Sequence, residues 1–227
     1  MTIVMYDSIT VSEIPANAPA VAGYTGGHWP TWNEVQAKFP AAQHLSIAIS
    51  ASSWGRCLDC EPGDATPSQA PGWFNAHADH SHGLPVLYAS ASAVNEVVTA
   101  MSHAGIARDK YLIWSAHYTF HEHICSPSGC GYPPADATQW TDKAMGRNLD
   151  QSLCSDKFFT IHPTPLPPTP EGTMAIAVGS NADGRLAVFI EMASGEVKHI
   201  EQQKPNGEWW KDDKGHYHWL TLGNPSK

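Results

Sequence analysis

The chain has 227 residues, 42% hydrophobic and only 15% charged, so it can bury one large core or a core with a small appendage. Its net charge of −9 argues against non-specific nucleic-acid binding and against docking on an anionic membrane surface, so no nucleic-acid partner is expected. No run of 18 apolar residues exists, so no helical membrane span is expected.

In chain order, eight short apolar runs alternate with polar or amphipathic stretches. They cover residues 3–6, 20–24, 45–49, 56–61, 85–88, 111–116, 137–140 and 148–151, and each has strand character. Two helices stand out. Residues 31–39 open on Thr31 with Glu34 three positions on, the pattern of a capping box. Residues 92–103 carry apolar side chains at helical spacing and stop before Gly105. Strand–helix–strand alternation predicts the α/β class with parallel strands. Eight runs predict a closed barrel rather than an open sheet. Residues 1–159 are few for a (β/α)8 fold, which takes about 200–250. The expected architecture is therefore a shortened (β/α)8 TIM-type barrel with some helices reduced to loops.

Residues 160–173 hold five prolines in 14 positions and predict a semi-rigid extended spacer. Beyond it, residues 174–227 contain four strand-like runs, 175–180, 185–191, 196–202 and 217–222. Turn signals at Asp183-Gly184, Ser194-Gly195 and Asn206-Gly207 separate them. They predict a small all-β module, a four-stranded antiparallel meander with Trp209, Trp210 and Trp219 near its end. Met1 leads straight into the first apolar run, with no basic leader, apolar segment or cleavage site. The expectation is synthesis in the cytoplasm, with any extracellular role reached as a virion component or by non-classical release.

Five cysteines, Cys57, Cys60, Cys125, Cys130 and Cys154, leave at least one without an intrachain partner. Cys57 and Cys60 with Cys125 and Cys130 can be read as a four-thiolate zinc site. The segment from His117 through His121, His123 and Cys125 to Cys130 is also rich in possible ligands. Its alternative is a local Cys125–Cys130 disulfide among surface histidines. His77, His80 and His82 around Asp79 read as the polar end of a helix. No metal and no cofactor is assigned to the candidate site.

In a parallel barrel, chemistry sits at the C-terminal strand ends. Asp7 follows the first run, and Asp59 and Glu61 close the fourth. Two residues apart, those acids face the same way on a strand. Asp150 lies in the last run, Trp114 and Tyr118 frame the sixth, and Gln139 and Trp140 end the seventh. Paired carboxylates are the minimum equipment for cleaving a glycosidic bond, one protonating the leaving oxygen while the other attacks, stabilises or activates water.

These residues fall in an order that resembles the glycoside hydrolase family 25 lysozymes, or muramidases, and more closely the related barrels of actinobacteria and their phages. The matching pieces are Tyr6-Asp7-Ser8, Leu58-Asp59-Cys60-Glu61-Pro62-Gly63-Asp64, Pro85-Val86-Leu87-Tyr88-Ala89-Ser90, Leu112-Ile113-Trp114-Ser115-Ala116-His117-Tyr118, Ala137-Thr138-Gln139-Trp140-Thr141-Asp142 and Gly146-Arg147-Asn148-Leu149-Asp150. The resemblance implies that Glu61 is the general acid, with a raised pKa, and that Asp59 is its nucleophilic or stabilising partner. Asp7 and Asp150 would line the sugar subsite, and Tyr88, Trp114, Tyr118, Gln139 and Trp140 would bind substrate. The implied function is hydrolysis of bacterial cell-wall glycan. The alternative is a non-catalytic glycan-binding or structural component of a phage tail or surface.

Residues 174–223 resemble one repeat of a tectonin or fucose-lectin β-propeller. The match runs through Val178-Gly179-Ser180-Asn181-Ala182-Asp183-Gly184, Gly195-Glu196-Val197, Trp209 and Trp219-Leu220-Thr221-Leu222-Gly223. A single blade buries little without neighbours. The expected partner is therefore a second copy of the chain, giving a homo-oligomer through the blade.

Overall fold

The structure, a computed structural model, describes residues 2–160, 170–181, 185–203 and 208–223. Contacts divide the chain into two units, Met1–Ile161 and His162–Lys227. Most of the spacer expected at 160–173 lies outside the described residues, as do the turns expected at Asp183-Gly184 and Asn206-Gly207.

In the first unit all eight apolar runs are strands: β1 (Ile3–Asp7), β2 (Ala20–Tyr24), β3 (Gln43–Ala48), β4 (Cys57–Asp59), β5 (Val86–Ser90), β6 (Leu112–Ala116), β7 (Ala137–Thr141) and β8 (Asp150–Cys154). They close into a barrel in sequence order. Period-two alternation sorts their side chains. Met5, Ala22, Leu45, Val86, Leu112 and Cys154 fill the interior. Val21, Leu58, Leu87 and Ile113 point outward, into the layers that pack outside the sheet.

β1 to β7 are parallel, but β8 runs antiparallel to both β7 and β1. This corrects the expectation of uniformly parallel strands. The link from β7 to β8 spans only residues 142–149, with a single 3-10 turn at Ala144–Gly146. A parallel return needs about a dozen residues or more. The reversal moves Asp150 from a strand end to a strand start, which lies on the same rim as the C-terminal ends of β1 to β7.

Four helices connect the strands: α1 (Trp32–Lys38), α2 (Ala70–Ala76), α3 (Val94–His103) and α4 (Pro127–Cys130). α1 and α3 are the two legible in the sequence. α2 escapes notice because Pro71 and Gly72 blur its periodicity, yet a proline is tolerated in a first helical turn. The capping box expected at Thr31 does not form. Thr31 Oγ1 instead accepts the backbone N–H of Tyr24 at 3.1 Å, tying α1 to the end of β2.

The end of the barrel opposite that rim is closed by Phe158 and Phe159, with Arg56 buried against both rings at 5.9 and 5.6 Å. Arg56 donates to the carbonyls of Leu84 and Phe158, and burial lowers its pKa to about 10.

In the second unit, β9 (Thr173–Ser180), β10 (Leu186–Met192), β11 (Val197–Glu201) and β12 (Leu220–Gly223) form an antiparallel sheet in the order β12-β11-β10-β9. Val188, Ile190, Ile200 and Trp209 bury one face. Ile176 and Val178, on edge strand β9, are about half exposed at 52% and 50%.

Gly23 sets how closely α1 can lie on the barrel. A Cβ there would stand 2.7 Å from Val35 Cγ2 and 3.1 Å from Trp32 Cα. Gly23→Ala is therefore expected to cost about 1–3 kcal/mol through overpacking. Thermal denaturation should show a Tm lower by about 3–10 °C, with part of the loss recovered in a G23A/V35A double variant.

Candidate active site

The acids reach one place because the strand pattern continues past the end of β4. The Cys60 N–H still donates to the Tyr88 carbonyl at 2.9 Å. Leu58 and Cys60 pack outward in the layer that also buries Trp73. Asp59 and Glu61 are therefore left facing inward. The chain then turns back, with Ala65 N–H on the Asp59 carbonyl at 3.2 Å and Gly63 at φ +106°. On the closing pair of strands, Asp7 and Asp150 stand opposite each other in register.

The result is a cavity of about 130 Å³ lined by Asp7, Tyr24, Ile47, Asp59, Glu61, Tyr88, Trp114, Tyr118, Gln139 and Asp150. All four carboxylates singled out in the sequence line it, as do Tyr88, Trp114, Tyr118 and Gln139. Trp140 does not. The β7–β8 register shifts between Gln139 and Thr141, and this irregularity accompanies Trp140's absence from the wall. Tyr24 and Ile47 went unnoticed. The signal was present, since Ala20 and Ala22 set an inward alternation that Tyr24 continues to the rim.

Hydrogen bonds fix the aromatic wall. Tyr88 OH donates to Gln139 Oε1 at 2.8 Å, and Gln139 Nε2 donates to Tyr118 OH at 3.1 Å. Trp114 Nε1 donates to Ser152 Oγ at 3.0 Å, and the Tyr88 and Trp114 rings lie 4.5 Å apart. Asp59 Oδ1 is buried without a hydrogen-bond partner, whereas Asp7 pairs with Asp150.

No lysine or arginine lines the cavity. Burial raises all four carboxyl groups, and neighbouring acids push Asp7, Asp59 and Glu61 up further. Asp7, only 2% exposed, is pushed well above the usual carboxylate range by burial and then by Asp150 and Asp59. It holds the proton of the Asp7–Asp150 pair. Asp150 is raised by burial, with its hydrogen bonds to Asp7 and Gln139 acting the other way. Burial, then Glu61 and Asp64, push Asp59 up to about 8. Glu61, half-buried, is raised by burial and by Asp64 and Asp150. The rise expected on Glu61 is present, but a larger one falls on Asp59.

A second cavity, of about 210 Å³, shares Tyr24 and is otherwise lined by Ile9, Gly26, His28, Trp29, Ile49 and Asp64. Trp29 is 62% exposed there. It follows β2 in a glycine-rich loop on the same rim and also escaped the sequence reading. A larger open depression, about 500 Å³, lies between α3 and the 67–69 turn and presents one carboxylate, Glu96.

Cys57 packs in the barrel interior and Cys60 in the outer layer, on opposite faces of β4. The four-thiolate set therefore cannot assemble. All five cysteines are free thiols, so the local Cys125–Cys130 disulfide is absent as well. His77 ends α2, His80 Nε2 lies 3.1 Å from the Phe74 carbonyl, and His82 Nδ1 lies 2.8 Å from Asp79 Oδ2. Only His77 stands at the helix end; Asp79, His80 and His82 lie in the loop that follows α2.

No protein-family model matches the chain, and no curated protein matches it. A crystal structure of an uncharacterized B. stearothermophilus protein is similar over 68% of this chain and 96% of that one, at 13% identity and a TM-score of 0.44.

Asp59 generates a stability signature. Its carboxyl ionises near 3.8 when unperturbed and near 8 in the fold. The folded state binds more protons between those values, so stability falls as pH rises from about 4 to about 8. Asparagine mimics the neutral carboxyl. Calorimetry should show Asp59→Asn raising Tm by about 5 °C at pH 8 and changing it little at pH 4.

Proposed function

We propose that the barrel is a glycoside hydrolase of muramidase type that acts on bacterial cell-wall glycan at the carboxylate cavity. The observation that carries this is the convergence of Asp7, Asp59, Glu61 and Asp150 on one aromatic-walled cavity without a lining cation. Gathering four acids in this way costs stability and gains no ion pair in return, which is the pattern of a functional site. The architecture agrees with a shortened (β/α)8 barrel. Seven strands are parallel, helices follow β2, β4, β5 and β6, and the acids lie on the rim where such barrels carry their chemistry.

The roles follow from burial. Glu61, half-buried and with a raised pKa, can meet a leaving oxygen and protonate it. Asp59 lies deeper with an unpartnered oxygen. A sugar N–H or O–H donating to that oxygen would lower its pKa. Asp59 would then ionise and face the positive charge that develops on the sugar ring. The Asp7–Asp150 pair keeps one proton between its two acids, and the Asp59 charge helps to hold it on Asp7. Trp29 offers a face on which a neighbouring sugar can stack.

Binding without cleavage is the second reading. It is favoured by the cavity's size, since about 130 Å³ is close to a cavity that takes a benzene-sized ring and so encloses only part of a substituted sugar. The protein would then serve as a glycan-binding component of a tail or surface. Under either reading, the C-terminal sheet acts as one lectin-type propeller blade. The half-exposed Ile176 and Val178 on edge strand β9 support homo-oligomerisation through it.

Purified actinobacterial peptidoglycan tests both readings. The wild type should release reducing ends, and Glu61→Gln should lower the rate at least about 100-fold while still pelleting with cell walls. Trp29→Ala should weaken pelleting. Wall binding without product from the wild type would establish the second reading, and neither product nor binding would overturn both.

A further inference from the structure

The loop after β6 carries a cluster that the cavity chemistry does not use. His117, His123, Cys125 and Cys130 present one donor atom each, and these four atoms lie within 4.8 Å of one another. His117 Nδ1 is 3.0 Å from His123 Nε2, and Cys125 Sγ is 3.4 Å and 3.6 Å from those two nitrogens. Donors on a tetrahedral zinc, about 2.0 Å away for nitrogen and 2.3 Å for sulfur, stand about 3.3 Å apart between nitrogens and about 3.5 Å from nitrogen to sulfur. The three spacings among His117, His123 and Cys125 lie near those figures, with Cys130 Sγ within 4.8 Å of each of the three donors.

Each ligand is held from behind. His123 Nδ1 lies 2.8 Å from the His121 carbonyl, which can only accept, so Nδ1 carries the proton and Nε2 turns a lone pair inward. The Cys125 N–H donates to Thr138 Oγ1 at 2.9 Å, and Thr138 in turn meets Ser115 Oγ at 2.9 Å, so β6 and β7 anchor this cysteine. Ser126 caps α4 by accepting the Gly129 N–H at 3.1 Å, and this single turn brings Cys130 back beside Cys125. The backbone N–H of His117 donates to the Gln139 carbonyl at 2.9 Å.

We infer that His117, His123, Cys125 and Cys130 form a structural zinc site that staples the loop after β6 to the barrel. Two imidazoles and two thiolates are the soft donor set that selects zinc over magnesium or calcium. Four protein ligands close the coordination sphere, which marks a structural rather than a catalytic ion. Binding releases the two thiol protons to solvent and changes no oxidation state. The staple also bears on the neighbouring cavity, because Tyr118 directly follows ligand His117 and is bonded to Gln139. The site stands independently of the proposed glycosidase activity.

The test is metal analysis of the untagged full-length chain after dialysis. About one zinc per chain is expected. Cys125→Ser and Cys130→Ser should each fall below about a tenth of an equivalent, while Asp59→Asn keeps its zinc. Cobalt(II) bound to the wild type should give the intense visible bands of a tetrahedral thiolate site, an observation that needs no variant to fold. A reduced wild-type chain that takes up neither zinc nor cobalt would overturn the inference. So would full zinc retention in both serine variants, or a Cys125–Cys130 disulfide in protein purified under reducing conditions.

Discussion

Between β1 and β8 the barrel closes with Asp7 opposite Asp150, and neither residue can move off the other without slipping the register of a closed sheet. A slip of one residue would turn Ile3, Met5 and Asp7 outward together and push Val4 and Tyr6 into the interior. The apolar packing of the interior therefore holds two carboxylic acids face to face at the rim. Burial and mutual repulsion then decide their protonation, and Asp7 keeps a proton. With Asp59 and Glu61 delivered by β4, the same constraint yields a cluster of four acids that the rest of the fold must stabilise.

The surrounding structure supplies that stability elsewhere. Arg56, Phe158 and Phe159 close the opposite end of the barrel. α1, α2 and α3 cover part of the outer surface, and Gly23 lets α1 approach closely. The cavity wall is preorganised by hydrogen bonds from Tyr88 through Gln139 to Tyr118, and from Trp114 to Ser152. A ligand entering the cavity would meet rings already oriented and, on Asp59, a carboxyl oxygen without a partner. Such an arrangement costs folding stability, and under the proposed function it leaves an acceptor for a hydroxylated or amidated ligand.

The strands were legible because each is a short apolar run bounded by polar residues, and α1 and α3 because their apolar spacing is helical. Asp7, Asp59, Glu61 and Asp150 were legible as acids adjoining those runs. What escaped was decided by tertiary structure. The direction of β8 depends on how far residues 142–149 can reach, and Trp140 left the cavity where the β7–β8 register shifts. Thr31 looked like a helix cap, but its hydroxyl serves the end of β2. Tyr24 and Trp29 sit in a segment without acids, so nothing drew attention to them. The histidines and cysteines after β6 were visible as possible ligands, but only the fold separates Cys57 and Cys60 from the set and leaves His117, His123, Cys125 and Cys130 together.

Burial without ion pairing governs the acids of the cavity. Carboxyl-carbon NMR titration of the full chain, with Asp59 assigned through Asp59→Asn, tests it most directly. Asp59 should titrate near 8, protonated at neutral pH. Titration at its ordinary value near 3.8 would contradict the account, because the site would then be an open, solvated group of acids.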